Sequence, residues 1–187
     1  MIARSNWSAR TWPPTEMTET TIGAGRYRPA RLLIEGWALL GGVALLGVVA
    51  INAWSILAGW IANAPFPGDF ELTEMGTAIA VFAFLPYCQL TGANVSADIF
   101  TMRASALKVA AMSTLAALTA TAFAGLLIWR MWLGLVDYRT YTEFTGILQI
   151  PIWWAFVPAL ISLVLLLAAA LITLAEALAA LRTTRST

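Results

Sequence analysis

The chain has 187 residues, 60% of them hydrophobic and only 11% charged, with a formal net charge of +1, whereas ordinary soluble domains carry roughly 25% charged residues. So few charges cannot cover a water-facing surface, and the near-neutral balance excludes the concentrated basic face that nucleic acid requires. Histidine is absent and Cys88 is the single cysteine, which excludes an internal disulfide and the axial imidazoles of haem-carrying four-helix membrane subunits, and removes the commonest catalytic base and metal ligand.

Residues 1–31 are polar, with Pro13, Pro14 and a Thr-rich run from Thr15 to Thr21. No helical or strand period is sustained there, so this leader is expected to be a flexible cytoplasmic segment. The first apolar segment runs from Leu32 to Ile61. Ala62-Asn63-Ala64 resembles a cleavage site, but the apolar run is about twice the 7–15 residues of a signal peptide. The segment therefore reads as a retained helix, with Ala38, Gly42 and Leu46 on one face.

An outer loop, Pro65 to Glu74, leads into the second segment, Leu72–Leu90. Asp69 is expected to cap that helix, with Glu71 and Glu74 in its first turn, where the macrodipole favours carboxylates. Capping accounts for these acids without any function; as three carboxylates on a surface loop they are also the candidates to receive a basic docking partner. Pro86 lies inside the second helix, where membrane helices tolerate Pro and kinks are common.

The third segment, Ala104–Leu133, carries small residues in two adjacent stripes. Ala116, Ala120 and Ala124 recur every fourth position, as do Ala117, Thr121 and Gly125. Such stripes let helix backbones approach closely in lipid, either within this chain's own bundle or against a partner helix, and Ala116, Ala120, Ala124 and Gly125 are the candidate interface residues. From Leu135 to Gln149, Tyr138, Tyr141, Phe144 and Leu148 follow a rough helical spacing. That spacing predicts a short amphipathic piece at the outer interface. The fourth segment, Ile150–Ala175, opens with Pro151 near its first turn and contains Pro158. The domain division is a leader (1–31), a membrane domain (32–181) and a tail (182–187).

Each apolar segment reaches or approaches the ~20 residues that span ~30 Å of hydrocarbon, and lipid leaves the helix as the economical backbone state. The expected fold is an all-α integral membrane four-helix bundle. Nine of the eleven Arg and Lys residues, including Arg4, Arg31, Arg103, Lys108 and Arg182, fall on one side if the chain crosses four times. Only Arg130 and Arg139 fall on the other, so both termini are expected in the cytoplasm. Trp60, Trp129, Trp132, Trp153 and Trp154 cluster at the outer ends, as belt anchors do.

The helix centres hold no ionisable side chain; Glu35, Arg130 and Glu176 lie near boundaries, within reach of water by snorkelling. A proton or ion path is therefore not expected, and neither is a catalytic residue, a cofactor or a metal. Asp98 and Asp137 fall on opposite sides of the ~30 Å core and cannot act as a catalytic pair.

Three stretches together resemble the small membrane subunit of tripartite ATP-independent periplasmic (TRAP) transporters. They are Gly68-Asp69-Phe70-Glu71-Leu72 with its helix ending Phe84-Leu85-Pro86-Tyr87; Gly92-Ala93-Asn94-Val95-Ser96-Ala97-Asp98-Ile99-Phe100; and Leu148-Gln149-Ile150-Pro151-Ile152-Trp153 leading to Val157-Pro158. The resemblance covers most of residues 32–181. Asn94 stands where the family often has His, so no titrating group is expected there. The resemblance implies a bacterial inner-membrane complex in which a periplasmic solute-binding protein captures a solute, often an organic acid, and a large permease subunit imports it on an ion gradient. The small subunit is then a non-catalytic scaffold that packs against the large subunit and helps dock the binding protein. The alternative is a self-sufficient, homo-oligomeric small transporter, whose polar path would have to use Glu35, Asn52 and Gln89.

Overall fold

The structure, a computed structural model, describes residues 27–92 and 106–185. The expectations for the leader up to Arg26, and for the loop that carries Asn94, Asp98 and Arg103, lie outside the described residues.

Four helices account for nearly all of the described chain: α1 (Arg28–Ala62), α2 (Asp69–Thr91), α3 (Ala106–Thr140) and α4 (Trp153–Arg185). Pro29 sits in the first turn of α1, where the missing N–H costs nothing and φ is already set for a helix. Asn63 ends α1 in the left-handed conformation (φ 51), and the Ala64 N–H donates back to the Ala58 carbonyl at 3.4 Å. Gly92, also left-handed, ends α2.

Among the described residues, three helices are long and apolar enough to cross a membrane: α1, and the stretches Leu107–Thr140 of α3 and Trp153–Thr183 of α4. At 23 residues, α2 covers about 35 Å at ~1.5 Å per residue, but its acidic start and its polar end at Gln89 keep it out of that group.

In space the helices follow the order α1, α2, α4, α3. α1 packs along α2, α2 along α4, and α4 along α3, while α1 meets α4 only lightly. The expected bundle is thus an open array, with α3 leaning on one neighbour. Its seams are made of small residues: Ala38, Gly41 and Val48 on α1, Ala80 and Ala83 on α2, Ala110, Ala117 and Ala124 on α3, and Ala159, Ala169 and Ala170 on α4 are buried. In lipid, association rests on such close approach and dispersion rather than on the hydrophobic effect. Ile34, Leu163 and Ile172 are buried with them, but many large apolar side chains point outward instead, among them Leu39, Leu46, Ile56, Leu115 and Trp129. At Gly41 the approach is so close that an added Cβ would stand 2.6 Å from the Ala83 Cβ.

Two expectations are corrected. The amphipathic piece from Leu135 to Gln149 does not exist as a unit, because α3 continues through Thr140 and takes its first half. Residues 141–152 then form a hairpin, closed by pairing of Phe144 with Pro151 and by Thr145 N–H to Ile150 O (3.0 Å) and Ile152 N–H to Glu143 O (3.1 Å). Thr142 (φ 41) and Gln149 (φ 54) turn left-handed and break the helical spacing. Likewise the cap of α2 is Gly68 (φ 87), not Asp69, and the first turn holds Asp69 and Glu71 while Glu74 falls beyond it.

Candidate functional site

Glu71 projects from the first turn of α2 into the turn of the 141–152 hairpin. Its carboxylate accepts the Ile147 N–H at 2.6 Å and the Leu148 N–H at 2.8 Å. Beside it the hairpin seats Leu148 directly over Gly68, where a Cβ would collide with the Leu148 side chain. Partial burial raises the pKa of Glu71, but the hydrogen bonds from Leu148 and Ile147, aided by the Thr145 hydroxyl and the Gly146 N–H, outweigh it and hold the group below the usual carboxylate value of 4.5. The hairpin is further fixed by the Gln149 amide donating to Gly146 O, and at its base Arg139 lies over the Trp153 ring, 5.5 Å from its centroid.

Asp69 is engaged on its other side. Its Oδ2 accepts from the Ser55 hydroxyl of α1 at 2.6 Å, and its Oδ1 accepts the Phe70 N–H at 2.8 Å. Ser55, itself buried, also accepts the Phe66 N–H. One turn down, the Asn52 amide donates to Thr73 Oγ1 (2.6 Å) and to Val48 O, and Thr73 donates to Asp69 O. Of the three candidate docking acids, then, Asp69 ties α2 to α1, Glu71 ties α2 to the hairpin, and Glu74 is exposed.

Deeper in the array the polar side chains join helices. The Trp37 indole of α1 donates to Ser162 Oγ of α4 at 2.8 Å, and Ser162, 1% exposed, donates to Pro158 O. Gln89 donates to Thr173 at 3.2 Å, linking α2 to α4. Arg31 and Glu176 form an ion pair at 3.0 Å between the ends of α1 and α4. The hydroxyls of Thr114, Thr119 and Thr121 bond back to carbonyls one turn earlier in α3. Of the residues an internal polar path would need, Asn52 and Gln89 are thus taken up in helix–helix contacts, and Glu35 is exposed. Ser55, Trp37 and Ser162 were not singled out from the sequence; the signal was a polar atom inside an apolar run, which in lipid calls for a partner.

The small-residue stripe of α3 divides. Ala124 is completely buried, and Ala117 and Ala110, spaced by sevens from it, are buried as well. Ala116 and Gly125 face away, with nothing near the Cβ position of Gly125. Ala116 and the half-buried Ala120 form the floor of a shallow apolar groove of about 540 Å³, walled by Met112, Leu115, Thr119 and Phe123.

Compared with known proteins, the chain matches the family described as tripartite ATP-independent periplasmic transporters, DctQ component, over residues 48–180. No curated protein and no solved structure matches. The matched span includes the hairpin, the start of α2 that it clasps, and both small-residue helices α3 and α4.

Proposed function

Since the chain belongs to this DctQ family of tripartite transporter components, we propose that it is a non-catalytic scaffold: a small subunit that packs beside the large permease subunit and helps dock the periplasmic binding protein. The observation that carries this reading is the distribution of polarity. Polar side chains within the helices are used to join helix to helix, while the two flanking helices α1 and α3 turn long apolar faces outward. A helix array of that kind offers surface for a partner and lipid rather than a route for a solute.

In this reading all four helices cross the bacterial inner membrane and both termini are cytoplasmic, which agrees with the Arg and Lys distribution. The hairpin and the start of α2 then face the periplasm, and Glu74, the exposed acid, together with Asp69 and Glu71 forms the side offered to the binding protein. The partner permease carries ion-driven symport, with an organic acid as the class of solute the family resemblance implies.

Detergent co-purification of the tagged chain from its native membrane tests the proposal. Recovery of a large polytopic permease at equal stoichiometry is expected. Recovery of the chain with itself alone, together with solute uptake by the purified chain in vesicles, would replace the scaffold with the homo-oligomeric transporter. The docking role has its own test: uptake unchanged when Asp69, Glu71 and Glu74 all become the corresponding amides would remove it.

A further inference from the structure

We propose that the outer hairpin is an acid-released clasp: ionised Glu71 holds residues 141–152 on the start of α2, and protonation of that one carboxylate frees them to move. Two backbone donors, Ile147 N–H and Leu148 N–H, converge on the two oxygens of the same side chain. A carboxylate can accept both with full charge assistance, and such bonds are about twice as strong as neutral ones. Adding a proton removes the charge and turns one oxygen into a donor facing donors.

The Thr145 hydroxyl and the Gly146 N–H aid the same carboxylate, and what else joins the hairpin turn to α2 is apolar: Leu148 seated over Gly68. That contact does not titrate, so the release is local and leaves the helices in place. The other ionisable groups carried by the surrounding elements are Asp69 and Glu74 on α2, Tyr141 and Glu143 on the hairpin, and Arg130, Asp137, Tyr138 and Arg139 on α3; α1 and α4 bring none to this end. None of them forms an ion pair with Glu71, and the Asp69 carboxylate is engaged with Ser55 and the Phe70 N–H instead. The hydrogen bonds that hold the clasp also set its working range, below the usual carboxylate value of 4.5. Only the compartment that would supply the protons rests on the reading above.

The test uses the full chain in lipid nanodiscs, with Cys88→Ala and a nitroxide on Ile147→Cys, an exposed position. Electron paramagnetic resonance then reports hairpin mobility whichever way the chain is oriented and whether or not a partner exists. The expected result is a restricted spectrum at neutral pH, with the mobile component growing to the majority as pH falls below 4.5. In Glu71→Gln the label should be mobile at every pH. A restricted spectrum in Glu71→Gln at neutral pH, or no acid transition in the parent, overturns the proposal. Should Glu71→Gln fail to fold, Glu74→Gln and Glu143→Gln decide: the proposal stands if both keep the transition and falls if either abolishes it.

Discussion

Gly68 meets two demands that no other residue meets together. Its φ of 87 lies where a Cβ costs ~1–2 kcal/mol, and the Leu148 side chain occupies the place of that Cβ. With the ~1–3 kcal/mol of overpacking, Gly68→Ala is expected to destabilise the chain by about 2–5 kcal/mol in detergent unfolding. Adding Leu148→Ala should relieve the collision and leave the backbone strain, so the double variant recovers part of the loss and not all of it; full recovery would mean that the left-handed turn costs nothing. Glu71, three residues on, gives a pH signature whose sign is fixed. Its folded pKa is lowered, so its contribution is complete above the unfolded value of 4.5 and is lost as pH falls through the folded one. The thermal midpoint of the parent should therefore drop in that acid window by more than that of Glu71→Gln. Both residues stood out in the sequence, as part of a loop and a helix start. Their contacts with the hairpin were not legible, because those of Glu71 are to backbone N–H groups 76 and 77 residues away, which carry no sequence signal, and none of them is local.

The four helices were legible because lipid leaves apolar segments of this length little choice of backbone state. The hairpin was not. Tyr138, Tyr141, Phe144 and Leu148 have a helical spacing by coincidence, and the residues that break it, Thr142 and Gln149, are not the glycines that usually announce a left-handed turn. Helix pairing was equally hidden: α4 lies between α2 and α3 although it comes last, and the light contact of α1 with α4 rests on Trp37 reaching Ser162 and on the Arg31–Glu176 ion pair. That contact makes a prediction at the level of elements. Ser162→Ala leaves the Trp37 N–H without its acceptor inside an apolar seam, which costs ~1–2 kcal/mol by the scale of hydrogen bonds between membrane helices. The double-mutant cycle of Ser162→Ala with Trp37→Phe should give a coupling of the same order; additive losses would mean that this hydrogen bond does not hold α1 to α4.

An array in the order α1, α2, α4, α3 leaves two flanks, and the small residues of α3 separate what holds the chain from what it offers outward. Ala124 is sealed against its neighbour, so Ala124→Leu forces about three extra heavy atoms into a filled seam and is expected to lower the stability of the isolated chain by ~1–3 kcal/mol. Ala116 is exposed and opens onto the outward groove, which has room for the same change. Ala116→Leu should therefore leave the thermal midpoint of the isolated subunit where it is. If the groove receives a helix of the large subunit, that variant fills the floor on which a partner backbone would rest, and recovery of the permease in co-purification should fall several-fold. Ala120→Leu, half in each surface, should show both effects in weaker form. The pattern across the three variants decides which flank binds: stability loss for Ala124→Leu with assembly loss for Ala116→Leu assigns the partner to α3. Assembly untouched by Ala116→Leu moves it to α1, whose apolar face from Leu39 to Ile56 is equally open.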